Sequence, residues 1–147
     1  MDENFYNPNP PRKIIIRRYL SEGIYQVKRK SVYPLIEHYG VAIVGKHLEE
    51  LRFTDGKSRV FHKTNLGIHI DFFNVNEWKT LKFVPANQVK LEIARLKIAL
   101  KNQQKYSLLD NCEHFSQFVM EGIAQSTQVQ NVVVVGSLAA LFLLSND

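Results

Sequence analysis

The hydrophobic pattern changes period once along the chain, at Pro85, and that change limits the fold more than any other feature. Before it, apolar residues come in short runs rich in β-branched and aromatic side chains: "KIIIRRYL", "GIYQVKRKSVYP", "HYGVAIVG", "NLGIHIDFF" and "EWKTLKFV". These read as strands, and "NLGIHIDFF" alternates with period 2. After Pro85, Val89, Ile93, Leu96 and Leu100 recur at spacings of four, three and four, with Lys90, Arg95, Lys97 and Lys101 on other faces. That is an amphipathic helix. A second helix is expected from about Asp110. Strands first and helices afterwards predict an α+β fold, an antiparallel sheet followed by helices.

The chain has 147 residues, enough for one domain with a buried core. Residues 1–23 read as a loose Asn- and Pro-rich leader, 24–131 as the folded domain and 132–147 as an apolar tail. "VVVVGSLAALFLL" (132–144) spans about 20 Å as a helix, short of the roughly 30 Å of a bilayer core. A buried helix, a strand followed by a helix, and contact with a membrane surface are all compatible with it, membrane contact being favoured.

The single cysteine of the chain, Cys112, stands in "YSLLDNCEHFSQF" (106–118). It cannot form an internal disulfide and has no partners for a Cys-based zinc site. No apolar segment opens the chain as a secretory signal does, so a reducing, cytoplasmic setting is expected, with membrane association through the tail. Asp110 followed by Glu113 reads as a capping box, which makes Cys112 the second residue of the helix. There the free N–H groups and the dipole favour a thiolate, a nucleophile for a carbonyl carbon. The bland reading is a small buried hydrophobe, as most free cysteines are.

A nucleophilic thiol needs a base. His114 lies two residues further along the helix and points away. His38 and His62, at the ends of two expected strands, can face a helix N-terminus packed on the sheet. The five histidines (His38, His47, His62, His69 and His114) show no metal-ligand spacing, and no metal or cofactor is expected. "GVAIVGKH" spells the Walker pattern from Gly40 to Lys46, but His47 replaces the Ser or Thr that would bind magnesium, and Val-Ala-Ile-Val favours a strand. Phe72, Phe73 and Trp78 are not interleaved with a basic cluster, so nucleic acid is not an expected partner.

"NCEHF", preceded by Leu108-Leu109-Asp110 and with "HYGVAIVG" upstream, resembles the lecithin:retinol acyltransferase family. That family includes the small HRAS-like suppressor phospholipase/acyltransferases and belongs to the circularly permuted papain-like thiol hydrolases. The resemblance spans about residues 24–131 and is sharpest at 38–45, 60–63 and 106–131. "GIAQSTQVQNV" before the apolar tail resembles the membrane-anchored members. The resemblance implies a permuted papain-like fold with Cys112 as nucleophile at a helix N-terminus, His38 as general base and His62 as the group that orients it. Asn111 and Tyr39 match positions expected to bind substrate, and Asn111 and Glu113 positions that shape the helix start.

It also implies a thiol-dependent acyltransferase or phospholipase A acting on glycerophospholipid or other acyl esters through a Cys112 thioester. The formal net charge of +5 suits the surface of such a substrate. A thiol amidase or peptidase of the same fold, and a non-enzymatic interaction protein retaining it, are the alternatives. Three features depart from the family: His38 and His62 lie 24 positions apart, about twice the spacing of the small vertebrate members; the Gly-Asp element before the first core strand is missing; and the tail lacks a basic end.

The spacing sets a geometric condition. "LRFTDGKSRVFH" carries Asp55-Gly56, a strong hairpin signal. If 38–44, 48–54 and 58–63 formed a simple meander, His38 and His62 would stand at opposite ends of the sheet, almost 20 Å apart at about 3.3 Å per residue. The catalytic reading therefore requires 38–44 to pair directly with 58–63, with 45–57 as an excursion at the tip.

Overall fold

The computed structural model describes residues 20–33, 35–102 and 111–122. Most of the expected leader, the expected strand 13–20 apart from Leu20, Asp110 and the 132–147 tail lie outside these residues. The fold is α+β. Five strands, β1 (Gly23–Lys30), β2 (Glu37–Val44), β3 (Arg59–Thr64), β4 (Gly67–Phe72) and β5 (Lys79–Pro85), precede α1 (Lys90–Lys101) and α2 (Cys112–Glu121). The strands form one sheet in the order β4-β3-β2-β1-β5, each neighbouring pair antiparallel.

The middles of the three central strands are buried on both faces, which is why Val41-Ala42-Ile43 and Val60-Phe61 run apolar rather than alternate. Ile24, Val41, Ile43 and Phe61 pack on Ile93 and Leu96 of α1 and Phe115 and Val119 of α2. Tyr25, Val27, Ala42 and Val60 point the other way, onto Trp78 from the β4–β5 connection. Full burial of each valine, isoleucine, leucine or phenylalanine among these stabilises by about 1.5–3 kcal/mol. Gln26 is a polar residue on the helix-facing side of β1. Its Nε2 donates to Ser116 Oγ at 3.1 Å, and that hydroxyl donates to the Glu113 carbonyl at 3.0 Å, so its burial leaves the amide satisfied.

β2 and β3 pair directly, through Val41–Phe61, Ala42–Val60 and Ile43–Arg59. The excursion that the His spacing demands is therefore present. Residues 48–54 are not a strand. Gly45, at φ 100°, turns the chain out of β2 into a 3-10 helix (Lys46–Leu51), which buries Leu48 and ends at left-handed Arg52. The Asp55-Gly56 pair lies on the returning leg, where Arg59 Nη2 donates to Asp55 Oδ2 at 2.6 Å. Burial of Leu48 in the core outweighs the local hairpin preference of Asp-Gly.

α2 starts at Cys112, with Asn111 as its N-cap. Asn111 Oδ1 accepts from the backbone N–H groups of Glu113 (3.0 Å) and His114 (3.1 Å), and the Asn111 N–H donates to His114 Nδ1 at 3.5 Å. This corrects the expected Asp110–Glu113 box by one residue. Asn caps as well as Asp does, and the shift brings His114 to the position where its ring can return the hydrogen bond. Cys112 is thus the first helical residue, not the second.

Candidate active site

The β2–β3 ladder stops at Val41 and Phe61, although β2 runs back to Glu37 and β3 on to Thr64. The candidate residues gather around this stretch, where β2 and β3 no longer pair with each other but keep their outer partners β1 and β4. Gly40 lies on it, and its missing side chain is a packing requirement. A Cβ there would meet the Phe61 carbonyl oxygen at 3.0 Å, Val60 Cγ2 at 3.1 Å and His62 Cβ at 3.3 Å.

On the Trp78 side of the sheet, His38 and His62 meet edge to face. His38 Nε2 and His62 Nδ1 stand 2.8 Å apart, and His62 Nε2 stands 2.8 Å from Asp71 Oδ2 on β4. The carboxylate accepts only, so His62 donates from Nε2 and its Nδ1 carries a lone pair. His38 must then donate from Nε2, which leaves a basic lone pair on its Nδ1. A chain of three side chains thus sets the tautomer of the outer ring. Trp78 lies against both rings, its centroid 5.7 Å from His38 and 5.5 Å from His62, with the Arg29 guanidinium 4.4 Å over the indole.

Burial lowers His38 to about 4, helped by the charges of His62 and Arg29. Burial also lowers His62, which is 3 % exposed, against the upward pull of Asp71. The hydrogen bond from His62 holds Asp71 below the usual carboxylate range. Both rings are therefore neutral near pH 7.

Cys112, also 3 % exposed, approaches from the helix side. Its Sγ lies 4.0 Å from the Glu37 carbonyl oxygen. Burial raises its pKa, and the backbone N–H groups of Tyr39, Glu113 and Cys112 itself oppose that only in part, with the Glu113 charge raising it further. The expected low-pKa thiolate is therefore not the resting state. The helix end is present, but loss of water outweighs it.

Glu37 and Tyr39, whose backbones touch the sulfur, flank His38 in sequence. Strand alternation turns the His38 ring onto the Trp78 face, whereas Cys112 comes from the helix side, at the end of β2 that still pairs with β1 but no longer with β3. Both line a cavity of about 330 Å³ with Tyr33, Ile36, Lys63 and Asn65. Among the described residues no hydrogen bond joins His38 to Cys112.

Of the two positions expected to touch substrate, Asn111 commits its side-chain oxygen to the cap. Tyr39 turns its hydroxyl to Glu37 Oε2 at 3.4 Å, and burial with the nearby Glu113 and Glu37 charges pushes its pKa up to about 12. Its backbone N–H, rather than its ring, acts on the sulfur. Sequence reasoning missed Asp71 and Trp78. The period-2 pattern of "NLGIHIDFF" puts Asp71 on one face with His69, and His69 pairs with His62 across β3–β4, so Asp71 had a signal. Trp78 comes from a connection and had none.

Among the described residues, no group of three His, Cys, Asp or Glu side chains is arranged to hold a metal ion, and no helix is long and apolar enough to cross a membrane. Comparison of the chain with family models, with curated proteins and with solved structures gives no match.

Proposed function

We propose that the chain is a thiol-dependent acyl-transfer enzyme of permuted papain-like architecture, acting on glycerophospholipid or related acyl esters. One observation carries this reading. The single cysteine opens a helix at the same cavity that His38 lines, and the His38 ring is held by His62 and Asp71.

In the proposed reaction Cys112 Sγ attacks the ester carbonyl while His38 Nδ1 takes its proton. The S–C bond forms, the C–O bond to the alcohol breaks, and His38 returns the proton to the leaving oxygen. Water, an amine or a lysolipid then takes the acyl group from sulfur. At rest the proton stays on sulfur, because burial raises the thiol and lowers the imidazole. Transfer must accompany attack, across the cavity that both groups line. The Tyr39 and Cys112 N–H groups are suited to hold the oxyanion.

Incubation with a short-chain phosphatidylcholine tests the reading. Free fatty acid together with an acyl thioester on Cys112 is expected, and neither should form with Cys112→Ser. Turnover of amide but not ester substrates would favour the amidase alternative. The non-enzymatic reading draws on one observation, a buried, protonated thiol with no hydrogen bond to an imidazole. An absence of any thioester would favour it.

A further inference from the structure

The antiparallel topology collects one set of connections at the Cys112 end of the sheet. Lys30 pairs with Glu37 and Thr64 with Gly67, so the β1–β2 connection and the β3–β4 turn lie side by side there, with the start of β5 at Lys79 opposite Lys28. These tips are apolar and exposed. Val32 and Leu35 are almost wholly exposed, Tyr33 and Leu66 largely so, and Ile36 about half. Scattered exposed apolar residues are ordinary, but five at one end of a small domain form a patch. Tyr33 and Ile36 also line the cavity that holds Cys112 and His38.

Charge says what such a patch suits. The neighbouring cleft, about 630 Å³, is lined by Lys28, Arg29, Lys30 and Lys79 against Glu37 and Glu77. The two acids face two of these bases, Lys28 to Glu37 at 2.6 Å and Arg29 to Glu77 at 3.9 Å, so the balance at this end is positive. An apolar tip beside a basic rim fits a bilayer with anionic headgroups: apolar side chains enter the interface and lysines stay among the phosphates.

We infer that Val32, Tyr33, Leu35, Ile36 and Leu66, with Lys30 and Lys79, form a surface that docks the mouth of the Cys112 cavity on an anionic lipid bilayer. This contact is separate from any made by the 132–144 segment. It uses the proposed function only for what enters the cavity, since docking needs no turnover.

Co-sedimentation of the full chain with vesicles tests it, using phosphatidylcholine alone and phosphatidylcholine mixed with phosphatidylserine. Cys112→Ser is run in parallel and should bind as the parent does, which separates docking from catalysis. The double variant V32D/L35D should bind mixed vesicles at least about tenfold more weakly with an unchanged melting temperature, because both side chains already face water. Lys30→Glu with Lys79→Glu should lose a similar factor on mixed vesicles only, and high salt should mimic it. Undiminished binding by V32D/L35D overturns the inference and leaves the contact to another part of the chain. A parent chain that ignores vesicles but forms a dimer abolished by V32D/L35D overturns it in favour of a second copy of this chain.

Discussion

His38 Nε2 and His62 Nδ1 stand 2.8 Å apart across two strands whose ladder has already ended. The side chains thus continue a junction that the backbones have given up. On either side of His38, the Glu37 carbonyl and the Tyr39 N–H face the sulfur of Cys112. The first expected outcomes concern these groups.

Asp71→Asn should act beyond its own position. The amide presents either an N–H or an oxygen to His62 and no longer imposes a tautomer. Two-dimensional ¹⁵N spectra of the rings should show a single neutral tautomer for His62 in the parent and a mixture in the variant. If the proposed reaction is real, its rate should fall by about 10–100-fold, with only a small loss of stability, since Asp71 is half exposed. Identical ring spectra would show that Asp71 does not set the tautomer.

Stability should fall on mild acidification. His38 titrates at about 4 in the fold against 6.5 unfolded. Between those values the unfolded chain binds the extra proton, so its stabilising contribution is complete above pH 6.5 and disappears as pH drops toward 4. After allowance for the solvent that reaches the ring, the loss is about 2 kcal/mol. His62 is shifted in the same direction. Urea unfolding from pH 7 to pH 4 should show this slope, and His38→Gln should flatten part of it. A parent curve that is flat over that range would contradict a buried neutral pair.

Cys112 should alkylate slowly at neutral pH, and its rate should climb to an inflection above the ordinary thiol value, because burial dominates. Iodoacetamide labelling followed by mass spectrometry at a series of pH values reads this directly. An inflection below the ordinary value would mean that the helix end and the imidazole prevail over desolvation.

Gly40→Ala should be costly despite its small size. The new methyl would press on the Phe61 carbonyl, Val60 and His62. Backbone and buried neighbours cannot move away cheaply, so about 1–3 kcal/mol is expected. The shift should reach His38 through His62. A melting temperature within a degree of the parent would show that the strands open there more easily than their packing implies.

Asn111→Ala removes two hydrogen bonds from the start of α2 and should destabilise by about 1–2 kcal/mol, whereas Asn111→Asp should retain most of the cap. Thermal melts of the two variants compare these directly. Equal losses would mean that the Asn111 amide N–H₂, rather than its oxygen, is what the fold needs.

Within the described residues, the strands after residue 22, the helices and their order were legible in the sequence because hydrophobic period is a local property: "NLGIHIDFF" and the Val89–Leu100 pattern each declare their element without help. The position of Cys112 at a helix start was legible too, displaced by one residue because Asn111 and Asp110 are equally good caps and only the His114 ring, once in place, chooses between them. The direct pairing of β2 with β3 could be stated only as a condition. The local Asp55-Gly56 signal argued for a tight hairpin, and it took the burial of Leu48 to override it. Tertiary structure alone decided that Asp71 closes a chain through His62 to His38, that Trp78 covers both rings, and that Cys112 rests as a buried thiol. Each of these depends on how much water remains around a group and on what faces it from a distant strand. Spacing along a chain carries neither quantity, so Cys112, His38 and His62 could be named in advance as candidates, while their protonation states and the parts of Asp71 and Trp78 could not.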